Sequence, residues 1–376
     1  MNHASLKENL DAIQQKARER TVKTQTIEYD LETLVKRISS GTIKLDPEYQ
    51  RRHRWSVQTS SRLIESLILN IPIPVIFISQ DVDVDTELLD SGGARYTVID
   101  GQQRLTAIYE FIKDKLVLDD LETLSELNGS RYSELPPFLK RRLDERTIRC
   151  LRIDSTVDAQ VKYDIFERLN TGSVKLEAQE LRNAVARGPF NDLTKELAEL
   201  TSFRSLLQVD ERRPEISVKV QKMEDVELVL RFFALKDGRY NQLRKGFRDF
   251  LTDSLVDFNR MPADEISRSR TEFKIYMDFI DYATSSQGFS KWRFEDGREK
   301  KMSNFNAAVY DAVAVGLSQV FSPIEIEGDS NRVEQALIGY RSLFADPQFF
   351  ASVSGSVNDA AKVKYRIDAM IGFLRR

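Results

Sequence analysis

The chain has 376 residues, 56 basic and 59 acidic side chains, a formal net charge of −3, 41% hydrophobic residues and a single cysteine, Cys150. At roughly 150 residues per domain this is room for two domains with real cores. One thiol excludes an intramolecular disulfide framework and a Cys-rich zinc site and points to a reducing, cytoplasmic setting, and the small negative charge argues against a protein that coats nucleic acid unspecifically.

In chain order, the polar start predicts no export signal, and residues 5–20 read as an amphipathic helical extension covering 1–24. Asp30 is placed to cap a helix over Leu31–Ser39 that Gly41 ends, and Thr42–Leu45 reads as a short strand. A loop over Asp46–Arg51 follows, then a helix over Ser56–Leu69 with Leu63, Leu67 and Ile68 on one face, stopped by Pro72 and Pro74. The apolar run Leu67–Gln80 contains both prolines and falls short of the ~20 residues a membrane helix needs, so no span is expected. Val75–Ser79 reads as a strand, Asp81–Glu87 as a solvated acidic loop, and Glu87–Asp90 with Tyr96–Ile99 as a hairpin turned at Ser91-Gly92-Gly93. Helical periodicity begins at Asp100, with Leu105, Ile108, Tyr109 and Ile112 on one face.

Further on, Ile148–Ile153 reads as a strand, Asp158–Leu169 as a helix, Asn170–Lys175 as a tight loop and Glu177–Ala186 as a second helix, ended at Gly188-Pro189. Beyond about residue 190 the pattern is mainly helical, with Val226, Val229, Leu230 and Phe233, then Phe273, Tyr276, Met277 and Ile280, at helical spacing. Asp253–Ser269 and Ser285–Met302 are polar interruptions that read as loops. The fold class expected is α+β: a small mixed-sheet domain over 25–190 and a helical domain over 191–376.

Function is constrained first by what is missing. Only His3 and His53 occur, so a His-rich metal site and a His-Asn-His nuclease motif are absent, and no Gly-Lys dipeptide supplies a Walker A loop. Three constellations remain. In Ile99-Asp100-Gly101-Gln102-Gln103-Arg104-Leu105-Thr106, a strand followed by glycine and a helix start aims the positive helix end at one point that suits an anion. Asp100 has two readings, a helix cap with Gln103 reaching back in a capping box, or a carboxylate beside phosphates holding a divalent cation. In Tyr49-Gln50-Arg51-Arg52-His53-Arg54-Trp55, guanidinium groups interleave with aromatics, which suits phosphates and bases or, equally, a solvated loop pinned by Trp55. In Leu169-Asn170-Thr171-Gly172-Ser173, residues tolerant of left-handed backbone either end a helix or let amides approach a ribose or phosphate, with Ser173 capping the next helix. Glu180 and Arg182, in that next helix, read as surface ion partners.

The order Pro47…Trp55, Pro72-Ile73-Pro74, Ile99…Arg104 and Phe166…Gly172 resembles the N-terminal domain of GmrSD-type, modification-dependent restriction proteins, within the ParB/sulfiredoxin-like group. The resemblance covers about residues 25–190, and Met223–Phe233 is similar to the helical continuation of stand-alone members. It implies nucleotide binding and NTP hydrolysis with Asp100, Gly101, Gln102, Gln103, Arg104 and Thr106 at the phosphates, Tyr49, Gln50, Arg51, Trp55, Asn170 and Gly172 around the nucleotide, and Mg²⁺ near Asp100. The larger relatives attach a His-Asn-His nuclease domain; here both histidines lie upstream of that place, so DNA cleavage would need a separate nuclease or effector subunit. Two readings stand: an Mg²⁺-dependent NTPase of a DNA-surveillance or anti-phage defence system, and a non-enzymatic DNA-binding or adaptor module using the same arginines.

Overall fold

The computed structural model describes residues 24–45, 55–80, 96–154, 157, 159–169, 177–244, 246–295 and 298–376. The expected helix at 5–20, the loop at 46–51, the hairpin arm at 87–90 and the loop at 170–175 lie outside them. The chain divides into two compact units, 1–176 and 177–376, and its class is α+β.

The first unit is built on a five-stranded mixed sheet of order β1-β5-β3-β4-β2, with β1 Thr24–Asp30, β2 Ile43–Lys44, β3 Ile76–Gln80, β4 Tyr96–Asp100 and β5 Thr147–Ile153. β1 runs antiparallel to β5, β3 is parallel to β5 and antiparallel to β4, and β2 is parallel to β4. Among the described residues the antiparallel partner of β4 is therefore β3. The helix starts follow local chemistry. Asp30 caps α1 (Leu31–Ser39), its carboxylate accepting from the Thr33 N–H at 2.7 Å, and Ser56 caps α2 (Val57–Ile68) through the Thr59 N–H at 3.1 Å. Leu34, Leu63, Leu67, Ile76, Ile78, Leu105, Ile108 and Phe111 pack one contiguous core, with Trp55 half-buried against it.

Helix α2 ends before the prolines, at Leu69, and Asn70 then takes a left-handed conformation. On α2, Glu65 is buried; its carboxylate accepts from the N–H groups of Thr123 (2.7 Å), Leu124 (2.8 Å) and Glu122 (3.4 Å), fastening a segment nearly sixty residues away. Burial alone would raise its pKa, but these three amides and Arg62 outweigh it and hold the carboxyl below its ordinary value.

The second unit is helical around α6 (Ala178–Val185), α7 (Pro189–Ala198), α8 (Glu224–Leu235), α9 (Phe247–Phe258), α10 (Ala263–Thr284) and α11 (Ala360–Leu374). Phe203, Phe232, Phe233, Phe273 and Tyr276 form an aromatic cluster at its centre. Asp311, fully buried in a π-helical turn at Asp311–Val315, accepts from Arg231 through both carboxylate oxygens at 2.5 Å, and Arg366 also donates to it.

Three expectations are corrected. Asp253–Ser269 is mostly helix, the end of α9 and the start of α10, because its charges sit on exposed helix faces rather than in a loop. Ser285–Met302 contains an antiparallel ribbon, β6 (Lys291–Glu295) and β7 (Arg298–Ser303), whose alternation of charged and aromatic residues at Lys291-Trp292-Arg293-Phe294 is a period-2 pattern hidden by its polarity. Glu180 and Arg182 are buried, not surface partners: Arg182 donates to Glu227 at 2.7 Å and to Gln179 at 3.0 Å, forming the inward polar stripe of α6.

Two predictions follow from these buried carboxylates. Glu65→Gln should lower stability by about 1–3 kcal/mol at pH 7 in urea unfolding. Because the folded carboxyl titrates below the unfolded one, its contribution is complete above the unfolded value of 4.5 and fades as pH falls through the lower, folded value, so the gap between variant and parent should close as the pH is taken below 4.5. Asp311→Ala, which strands two buried guanidinium groups, should cost about 3–5 kcal/mol, read as a loss of the thermal midpoint of the second unit.

Candidate functional site

The expected phosphate segment lies where β4 leaves the sheet. Gly101 has φ +98° and ψ 12°, a left-handed conformation, and from it α3 (Gln102–Ile112) starts, with the glycine as an N-cap that brings no side chain of its own. The glycine is required twice over. Its positive φ disfavours any side chain, and a Cβ there would lie 3.0 Å from Cγ1 of Ile76 and 3.3 Å from Nη2 of Arg104.

The expected capping box is not formed. Asp100 is the last residue of β4, and its Oδ2 accepts from Arg104 Nη2 at 2.6 Å instead of from a helix amide. The physical reason is the left-handed turn at Gly101, which makes the glycine itself the N-cap. Arg104 is buried; its Nη1 donates to the carbonyl of Pro74 and lies 3.5 Å from that of Val75. One guanidinium thus joins the approach to β3, the end of β4 and the first turn of α3.

Gln103 is also buried, and its Oε1 accepts from the backbone N–H of Trp55 at 3.1 Å. Because a backbone N–H needs an acceptor, that bond fixes which end of the amide is oxygen and leaves Nε2 as the other end. Nε2 is enclosed and has no hydrogen-bond partner among the described residues. Gln102 and Thr106 are buried beside it, with Thr106 Oγ1 donating to the Gln102 carbonyl at 2.9 Å. The structure therefore brings Asp100, Gly101, Gln102, Gln103, Arg104, Thr106 and Trp55 to one helix start, while Tyr49, Gln50, Arg51, Asn170 and Gly172 lie outside the described residues.

Cys150, on β5, is fully buried, and burial pushes its thiol up to about 12 against a smaller opposing pull from Arg104, so it is no nucleophile. Asp100, whose side chain is 45% exposed, is the one expected metal ligand; among the described residues no group of three or more His, Cys, Asp or Glu side chains gathers around a common point.

Compared with known families, residues 31–186 match the family model described as GmrSD restriction endonuclease, N-terminal domain. This segment is a GmrSD N-terminal domain. The GmrSD match spans both α3 and the Asp100–Thr106 segment, and it ties this part of the chain to restriction systems. No curated protein and no solved structure matches the chain. Sequence reasoning placed the GmrSD segment but missed that Gln103 holds the start of α2, since a side-chain bond spanning 48 residues leaves no local signature.

Gly101→Ala should destabilise the GmrSD domain by about 1–3 kcal/mol, through the left-handed backbone and the contact with Ile76. Thermal unfolding of the full chain would show it as a lowered midpoint, and an unchanged midpoint would mean the turn relaxes.

Proposed function

We propose that the GmrSD domain binds a nucleoside triphosphate at the start of α3 and hydrolyses it with Mg²⁺, as the nucleotide-controlled part of a restriction-like defence system. The observation that carries this reading is the Gln103 amide nitrogen, a buried donor without a partner among the described residues, at a helix start whose N-cap is a glycine. A phosphate oxygen is the acceptor that would satisfy it, and the helix macrodipole favours the same charge.

In this reading Gln102 and Gln103 face the phosphates and orient the attacking water. Arg104, whose guanidinium is spent on Asp100 and Pro74, is a positioning residue that fixes the Asp100 carboxylate. Mg²⁺ fits the donor set in its usual mode, one carboxylate together with substrate phosphates, with Asp100 as that carboxylate. When bound it would neutralise charge on the phosphate oxygens. Hydrolysis would then rest on positioning and charge stabilisation rather than on a covalent intermediate.

Titration calorimetry of the full chain with ATP, GTP, CTP and UTP in Mg²⁺, paired with phosphate release with and without DNA, tests the reading. Gln103→Glu keeps the acceptor for Trp55 and replaces the unpaired donor by a negative charge. It should weaken nucleotide binding at least about 10-fold, which is ~1.4 kcal/mol, read at a temperature below the variant's own thermal midpoint, because the buried charge also lowers stability. No heat with any of the four nucleotides overturns the proposal and returns the domain to the adaptor reading.

A further inference from the structure

We infer that a cavity in the second unit is a binding site for a linear aliphatic polyamine, distinct from the nucleotide site at the start of α3. The cavity, of about 470 Å³, is lined by the last turn of α10, by β7 through Glu299, and by the helix Ser330–Leu337 with the turn that follows it. That volume lies within the ~300–1,000 Å³ of small-molecule sites.

The lining offers negative charge and lone pairs. Two helix C-termini end on it: the 22-residue α10, followed by left-handed Ser285, and Ser330–Leu337, followed after Ile338 by left-handed Gly339. Carbonyls at such ends carry the negative pole of the macrodipole, which favours a cation. Glu334 adds a half-buried carboxylate that makes no ion pair or hydrogen bond with the described residues. Thr284 Oγ1 donates its proton to the Ile280 carbonyl at 2.6 Å, and the Tyr340 hydroxyl donates to that of Gly288 at 3.2 Å. Both hydroxyl oxygens can therefore only accept from a ligand.

The cation among the described lining residues does not cancel this. Arg341 donates to Glu299 at 3.4 Å and its guanidinium is stacked over Trp292 at 4.0 Å, so the charges of that pair are spent on each other. The Glu334 carboxylate and the two helix ends are left over. An ammonium group donates three hydrogen bonds and accepts none, which matches them; an anionic ligand would meet chiefly like charge and acceptors. Ala283, Leu337 and Ile338 supply an apolar wall beside these acceptors, with Ile338 62% exposed. A methylene chain between ammonium groups covers such a wall, whereas a bare divalent cation would leave it wet and takes more oxygen ligands than one free carboxylate supplies.

The test is titration calorimetry of the full chain with spermidine, without nucleotide, at ~150 mM salt, where attraction to scattered exposed charges is largely screened. Spermidine should bind once per chain and raise the thermal midpoint. Glu334→Gln keeps the side chain's shape and removes its charge. It should weaken spermidine binding at least about 10-fold, with a thermal midpoint no lower than the parent's, because the carboxylate has no partner to lose. Ile338→Ser, at an exposed position, should weaken binding as well, which a site made of charge alone would not show. Glu126→Gln, an exposed carboxylate of the first unit, should bind as the parent does. Nucleotide heat in Glu334→Gln should match the parent, so this proposal and the one on Gln103 fail separately. No spermidine heat in the parent, unchanged binding by Glu334→Gln, an equal loss in Glu126→Gln, or binding of a blocked tri-lysine peptide without binding of spermidine would each overturn it.

Discussion

The Arg104 guanidinium is the constraint on which the geometry of the candidate site depends. A buried cation must find acceptors or cost several kcal/mol. Arg104 finds them on both sides of the sheet-to-helix junction, in the Asp100 carboxylate and the carbonyl of Pro74. Hydrogen bonds to a charged group are worth about 1.5–3 kcal/mol each, enough to fix how the chain turns between β4 and α3. Gly101 then has no freedom to be anything else, and Gln103, one residue before the arginine, is carried to the end of the Trp55 backbone.

What the sequence disclosed follows from the range of the interactions. Helix starts at Asp30 and Ser56 were legible because a cap is decided within three residues, and the apolar stripes at Leu63, Leu67, Leu105 and Ile108 because burial repeats with the helical period. The DGQQR segment was recognisable as a helix start, but its capping chemistry was misread, since a left-handed glycine and a guanidinium thirty residues from its carbonyl partner leave no trace in the local pattern. For the same reason the pairing of β1 with β5, residues 24–30 with 147–153, could not be anticipated. Charge misled in both directions: Arg182 is buried although its type argues for the surface, and the ribbon at 291–303 was hidden by its lysines and arginines.

The second unit buries its positive charge in matched sets. Inside, Arg231 and Arg366 are matched to Asp311 at a π-helical turn, and Arg182 to Glu227, so that each guanidinium is paired with a carboxylate. Asn259 does comparable work without charge: its Oδ1 accepts from the N–H groups of Phe190 and Asn191 at the start of α7, and its side chain occupies the space that a Cβ on Gly188 would need.

Cys150 gives the first unit a built-in reporter. The thiol sits in an inner strand of the sheet, wholly enclosed, and its proton is held until about pH 12. Alkylating reagents attack thiolates that they can reach, so modification at neutral pH must await a separation of β5 from its neighbours. As no other cysteine exists in the chain, the labelling rate is a clock for that opening alone, silent to any motion of the helical unit.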